Sequence, residues 1–97
     1  MNNKLKALGI DFDVHFSSRR KMGNGEYMGR VNYQECLIEI DKTATEQQQQ
    51  EAFLHELLHI LNTELELKLE EDTIHRLSYG LHCILRDNPQ FFNITIN

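Results

Sequence analysis

The stretch TATEQQQQEAFLHELLHILN, residues 43–62, sets the architecture of this chain. Thr43 and Glu46, and again Thr45 and Gln48, stand at capping-box spacing, in which the first side chain takes the backbone N–H three residues on and the later one reaches back. This predicts a helix that begins near residues 44–46 and runs to about Asn62. The Gln47–Gln50 run lies among good helix formers, so it reads as solvated first turns rather than as a low-complexity tract. Further along, Phe53, Leu57, Ile60 and Leu61 make an apolar arc that Leu54 and Leu58 extend to one side. His55 and His59 point nearly opposite its centre, so one face is expected on a sheet and another on a site.

Upstream of residue 41 the apolar period is two instead of 3.6. In Gly9–Phe16, Ile10, Phe12, Val14 and Phe16 alternate with Asp11, Asp13 and His15, the pattern of a half-buried strand. Residues 17–26 are rich in Ser, Arg, Gly and Asn, a connection with Gly23-Asn24-Gly25 at its tip. Tyr27–Tyr33 reads as a second strand and Glu35–Ile40 as a third, with Cys36, Ile38 and Ile40 alternating against Leu37, Glu39 and Asp41. Asn32 to Gln34 supply the turn between them.

Downstream, residues 63–69 read as a connection. A second helix is predicted from about Glu70 to Arg86, with Ile74, Leu77, Leu81, Ile84 and Leu85 as its apolar stripe and Asn88-Pro89 as its stop. Phe91, Phe92, Ile94 and Ile96 form an apolar tail expected to pack back on the domain. The whole is an α+β domain, a small, mostly antiparallel sheet followed by two packed helices.

Ninety-seven residues fit one domain, 1–97, and 40% hydrophobic with 26% charged residues argues against disorder. The net charge of −5 offers no basic footprint for nucleic acid, and the charge is uneven: residues 1–42 carry 7 basic and 6 acidic side chains, residues 43–97 carry 3 and 9. Arg19, Arg20 and Lys21 are the one basic cluster and read as a solvated loop. No apolar run is long enough to cross a bilayer and no secretory leader is apparent, which leaves no membrane partner and a cytoplasmic expectation. Cys36 and Cys83 lack metal-ribbon spacing and are expected to be reduced and structural.

The chemistry lies in His55-Glu56-Leu57-Leu58-His59. At about 100° per residue the two histidines are only about 40° apart and one turn along the helix, so both imidazoles reach one ion. Glu56 stands beside that ion but outside its ligands, where a carboxylate can hold and deprotonate water. Zinc in a catalytic site takes three protein ligands and keeps an open position, so a third ligand is needed. An HExxHxxGxxH arrangement would supply it as a histidine, but those places hold Asn62 and Leu65. The candidates are Glu70, Glu71 and Asp72 in the first turn of the second helix. Projected from Ile74, Glu70 and Glu71 can face the histidines and Asp72 lies well off. Three acids there also suit the positive end of the helix dipole without any ion. His75 and His82 flank the same face, as supporting groups or as polar residues at the edge of a buried stripe. Tyr27, Tyr33, Arg76 and Tyr79 are the remaining groups able to stabilise an oxyanion, and nothing in the sequence chooses among them.

The segment Glu71-Asp72-Thr73-Ile74-His75-Arg76-Leu77-Ser78, with Gly80-Leu81 and Leu85, resembles the E-x-x-A-x-x-F-A segment of ImmA/IrrE-type metallopeptidases. Together with His-Glu-Leu-Leu-His, the Gly-Ile-Asp-Phe strand and the Leu-Arg-Asp-Asn-Pro ending, the chain is similar to short phage and prophage proteins of that kind from Gly9 to Pro89. Ile74 stands where those proteins have a small Ala, and only 12 positions separate His59 from Glu71. The resemblance implies a zincin-like domain, Glu71 as the third zinc ligand after His55 and His59, and hydrolysis of a peptide or protein substrate with Glu56 as base. Larger relatives carry a DNA-binding helix-turn-helix, so repressor cleavage is not implied. The alternative is an inactive, zinc-stabilised binding module acting through a protein partner. Glu35–Ile40 leads directly into the metal helix, so its edge is the expected holder of an extended peptide, unless it is a central strand with both edges paired.

Overall fold

The computed structural model describes residues 3–18 and 28–92. In chain order these form β1 (Lys4–Ala7), β2 (Ile10–Ser17), β3 (Gly29–Asn32), β4 (Leu37–Asp41), α1 (Glu46–Glu64), α2 (Glu71–Asp87) and the single-turn α3 (Pro89–Phe92). The strands make one mixed sheet in the order β1-β2-β4-β3, antiparallel at β1–β2 and β3–β4 and parallel at β2–β4. The fold is α+β. Among the described residues no helix is long and apolar enough to cross a membrane. The basic cluster Arg19-Arg20-Lys21, the Gly23–Gly25 tip, Tyr27, Ile94 and Ile96 lie outside the described residues.

Strand β1 has no counterpart in the sequence reading, because Lys4-Leu5-Lys6-Ala7 is short and half lysine. Its register explains it: Lys4 lies opposite Asp13 and Lys6 opposite Asp11, and the ammonium groups reach those carboxylates at 3.1 and 3.6 Å. Such exposed pairs add little energy, yet opposite charges across the ladder favour this register over its slips. Leu8 and Gly9, the two loop residues, have φ of 51° and 83°. Positive φ at both places is the type I′ geometry that matches strand twist. Glycine supplies one without cost, and the exposed Leu8 bears the strain of the other.

The β3–β4 turn is fixed by side chain and backbone together. Asn32 Oδ1 accepts from the N–H of Glu35 at 3.1 Å, and Cys36 takes a φ of 50° to bring Leu37 into register opposite Asn32. Strand β4 is therefore central, with β2 on one side and β3 on the other. This overturns the expected role of Glu35–Ile40 as a peptide-holding edge, since both rows of its backbone groups are used within the sheet. The polar face of β4 is buried too: Asp41 is as buried as Ile38 and Ile40, and Glu39 is nearly so. Arg30 Nε donates to Glu39 Oε1 at 2.7 Å directly across the β3–β4 ladder. Asp41 Oδ1 accepts from both the N–H and the Oγ1 hydroxyl of Thr43, turning the chain toward α1.

The second of the two possible capping boxes is the one that forms. Thr45 Oγ1 accepts from the N–H of Gln48, while Gln48 Oε1 accepts from the N–H of Thr45. Thr43 is taken up by Asp41 instead. Gln49 is half-buried, and its amide donates to the carbonyls of Asp41, Lys42 and Ala44, so the glutamine run fastens the β4–α1 connection as well as facing solvent. The core gathers Phe12, Val14, Ile38 and Ile40 from the sheet with Ala52, Phe53 and Ile60 from α1. Full burial of each large side chain contributes about 1.5–3 kcal/mol.

Two helical faces differ from their sequence projection. On α1 the buried residues are Ala52, Phe53, Glu56 and Ile60, so the sheet-facing side is turned toward Glu56 and away from Leu61. On α2 the buried residues are Ile74, Ser78 and His82, whereas Leu77, Leu81 and Ile84 are exposed. The inward side of α2 is chosen by its packing on α1, not by its most apolar stripe. Phe91 and Phe92 are exposed too, contrary to the expectation that they pack on the domain.

Candidate metal centre

Three constraints bring the acidic first turn of α2 to the histidines of α1. The C-terminus of α1 bends through Glu66 and Lys68, both at positive φ. Asn62 then grips the connection: its Oδ1 accepts from the N–H of Leu69 at 2.9 Å, and its Nδ2 donates to the Leu69 carbonyl at 3.3 Å. Helix α2 starts two residues later at Glu71, with Glu70 as its N-cap. Asn62, which stands where another arrangement would carry a glycine, is thus the clamp that sets the distance between the helices.

The result is a convergence of three side chains. His55 Nε2 lies 2.8 Å from Glu71 Oε1, His59 Nε2 lies 2.9 Å from Glu71 Oε2, and the two ring nitrogens are 3.1 Å apart. With Glu71 ionised, neutral rings cannot satisfy all three contacts by hydrogen bonding. Each imidazole nitrogen either donates or accepts, so two N–H groups aimed at the carboxylate would also face each other. One cation at the centre removes the conflict, because all three groups can then offer lone pairs. His55, His59 and Glu71 are accordingly a group that could hold a metal ion. Two imidazoles and one carboxylate, with the remaining side open to a cleft, form a donor set that suits zinc. Of the three acidic candidates, Glu71 is the one placed there. Asp72 faces outward and pairs with Arg76 at 3.2 Å one turn on, while Glu70 is an exposed cap residue.

The cleft, of about 850 Å³, runs between β3 and α1 and is closed at one end by α2. Its walls include Met28, Arg30, Val31 and Tyr33 on the strand side, Glu51, Ala52, His55, Glu56 and His59 on α1, and Glu71 and His75 on α2. Glu56 is only 8% exposed. Burial pushes its carboxyl up to about 7, and the negative charge of Glu71 adds to the effect. Gly29 of β3 lies against this region: a Cβ there would crowd the Ile40 side chain at 3.2 Å and the Glu39 carbonyl at 3.3 Å, and would just touch Glu56 Cγ at 3.4 Å.

Other candidates separate cleanly. His75 lines the cleft, its ring centroid 5.9 Å from that of His55. His82 is buried in α2 and does not line the cleft. Tyr33 lines it, with its hydroxyl 3.2 Å from Thr63 Oγ1, whereas Tyr79 and Arg76 lie outside it. Ser78 escaped the sequence reading. It is fully buried, and its Oγ stands 3.4 Å from Nδ1 of His55. A lone serine between apolar helix positions carries no signal of this kind until α2 is docked.

Comparison of the chain with known protein families, with curated proteins and with solved structures gives no match. The reading of the centre therefore rests on its own geometry.

Proposed function

We propose that this chain is a minimal zincin-like, zinc-dependent metallopeptidase, of the kind the ImmA/IrrE resemblance implies. The observation that carries the proposal is the convergence of His55, His59 and Glu71 beside a buried Glu56 in one open cleft. Zinc, when bound, supplies Lewis acidity that polarises a carbonyl and makes water acidic near neutral pH. Glu56 accepts the proton of the attacking water and hands it to the departing amine. Its place on the cleft wall, next in sequence to His55, suits both halves of that task. His75, on the cleft wall one turn beyond Glu71, supplies a donor to the oxyanion.

An extended substrate finds its backbone partners on β3. This strand is at the sheet edge among the described residues. The N–H of Asp41 donates to the Met28 carbonyl at 2.7 Å. With the β3–β4 register, this turns the backbone groups of Met28, Arg30 and Asn32 toward β4 and those of Gly29 and Val31 away from it. The outward groups run along the cleft, where a peptide can pair with them while its carbonyl reaches the centre.

The deciding experiment measures zinc content and cleavage of a peptide library for the parent and for Glu56→Gln. A zinc-loaded, active parent and a zinc-loaded, inactive variant support the proposal. Cleavage that survives in Glu56→Gln overturns the mechanism. A zinc-loaded but inactive parent points to the zinc-stabilised binding module instead.

A further inference from the structure

We propose that Ser78 is a positioning residue that holds the His55 ring in the form that ligates metal. This deepens the metallopeptidase reading and rests on its metal centre. Ser78 has one hydroxyl hydrogen, and the Oγ donates it to the backbone carbonyl of His75 at 2.8 Å, one helical turn back. The oxygen can therefore meet His55 Nδ1, 3.4 Å away, only as an acceptor. That arrangement calls for a proton on Nδ1. A neutral imidazole with Nδ1 protonated keeps its lone pair on Nε2, and Nε2 is the atom that faces Glu71 and His59.

Two features make Ser78 suited to this role. Its side chain is fully buried, so water does not compete for its hydroxyl. Its position, seven residues after Glu71, places it two turns along the same face of α2. One helix thus carries both a direct ligand and the group that orients a second ligand on α1. Docking of α2 delivers the two together, and loss of either is expected to be read at the metal.

The test compares parent, Ser78→Ala and Ser78→Cys by zinc affinity in chelator competition and by ¹⁵N NMR of the histidine rings in the zinc-loaded proteins. The expected result for Ser78→Ala is zinc binding weakened about 10- to 100-fold, with the His55 Nδ1–H signal shifted and exchanging faster while His59 is unchanged. Ser78→Cys, which keeps the size and a weak acceptor, should fall between. If Ser78→Ala does not fold, the same comparison is decided on Ser78→Cys. A merely structural serine would lower the melting temperature and leave both zinc affinity and the His55 signals as in the parent, which overturns the proposal while the metal centre stands. A folded parent that takes up no zinc overturns the metal centre and the role of Ser78 with it.

Discussion

Glu71 Oε1 stands 2.8 Å from Nε2 of His55, joining two helices across 16 positions of sequence. The same carboxylate reaches His59 with its other oxygen, so the first turn of α2 completes a group that could hold a metal ion and that α1 alone leaves open. Glu71→Ala should therefore lower zinc affinity more than about 100-fold, beyond the range of supporting groups, as should His55→Ala. Glu70→Ala and Asp72→Ala, which remove acids that face elsewhere, should stay within a few-fold of the parent. Chelator competition on the purified variants measures the order.

Zinc-free protein should lose stability as pH rises from about 4.5 to about 7. The Glu56 carboxyl is raised in the fold from its ordinary 4.5 to about 7 by burial and by Glu71, so in this window the folded state holds a proton that the unfolded chain has released. The contribution is fully present below 4.5 and lost above 7, roughly 3 kcal/mol in all. Denaturant titrations of the chelated protein across this range check it. Glu56→Gln, uncharged throughout, should flatten the profile and be the more stable protein at pH 8.

The capping box at Thr45 should be worth about 1 kcal/mol to the fold. Thr45→Ala leaves the N–H of Gln48 without its side-chain acceptor and should shift the urea midpoint downward with an unchanged slope. His55 lies ten residues on, nearly three helical turns away, so zinc affinity of the folded variant should match the parent.

Val31→Pro removes a backbone N–H that points away from β4, and so leaves the β3–β4 ladder its donors. If a peptide lies along this edge, kcat/KM for an extended substrate should fall about tenfold, the worth of one backbone hydrogen bond, with zinc content unchanged. An unaltered kcat/KM would move the substrate off β3.

The local elements were legible in residues 9–86 because their signals are local. Alternation over Ile10–Phe16 and the Thr45/Gln48 pair each report on a few neighbouring residues, and strand β2 and helix α1 appear where those patterns put them. Strand β1 was not legible, since its reason is a pairing of Lys4 and Lys6 with aspartates on another strand.

His55, Glu56 and His59 were fixed as a group by helical spacing alone, for any helix of 3.6 residues per turn presents the two histidines together. Which acid joins them, and which faces turn inward, depend on contacts between elements. The grip of Asn62 on Leu69 sets where α2 begins, and the packing of α2 on α1 buries Ser78 and His82 while Leu77 and Leu81 stay exposed. Hydrophobic periodicity locates a helix and its polarity, but its rotation about its own axis is settled by the summed contacts of the whole domain. A buried serine beside His55 carries no periodic signature, so its meaning exists only once the two helices meet.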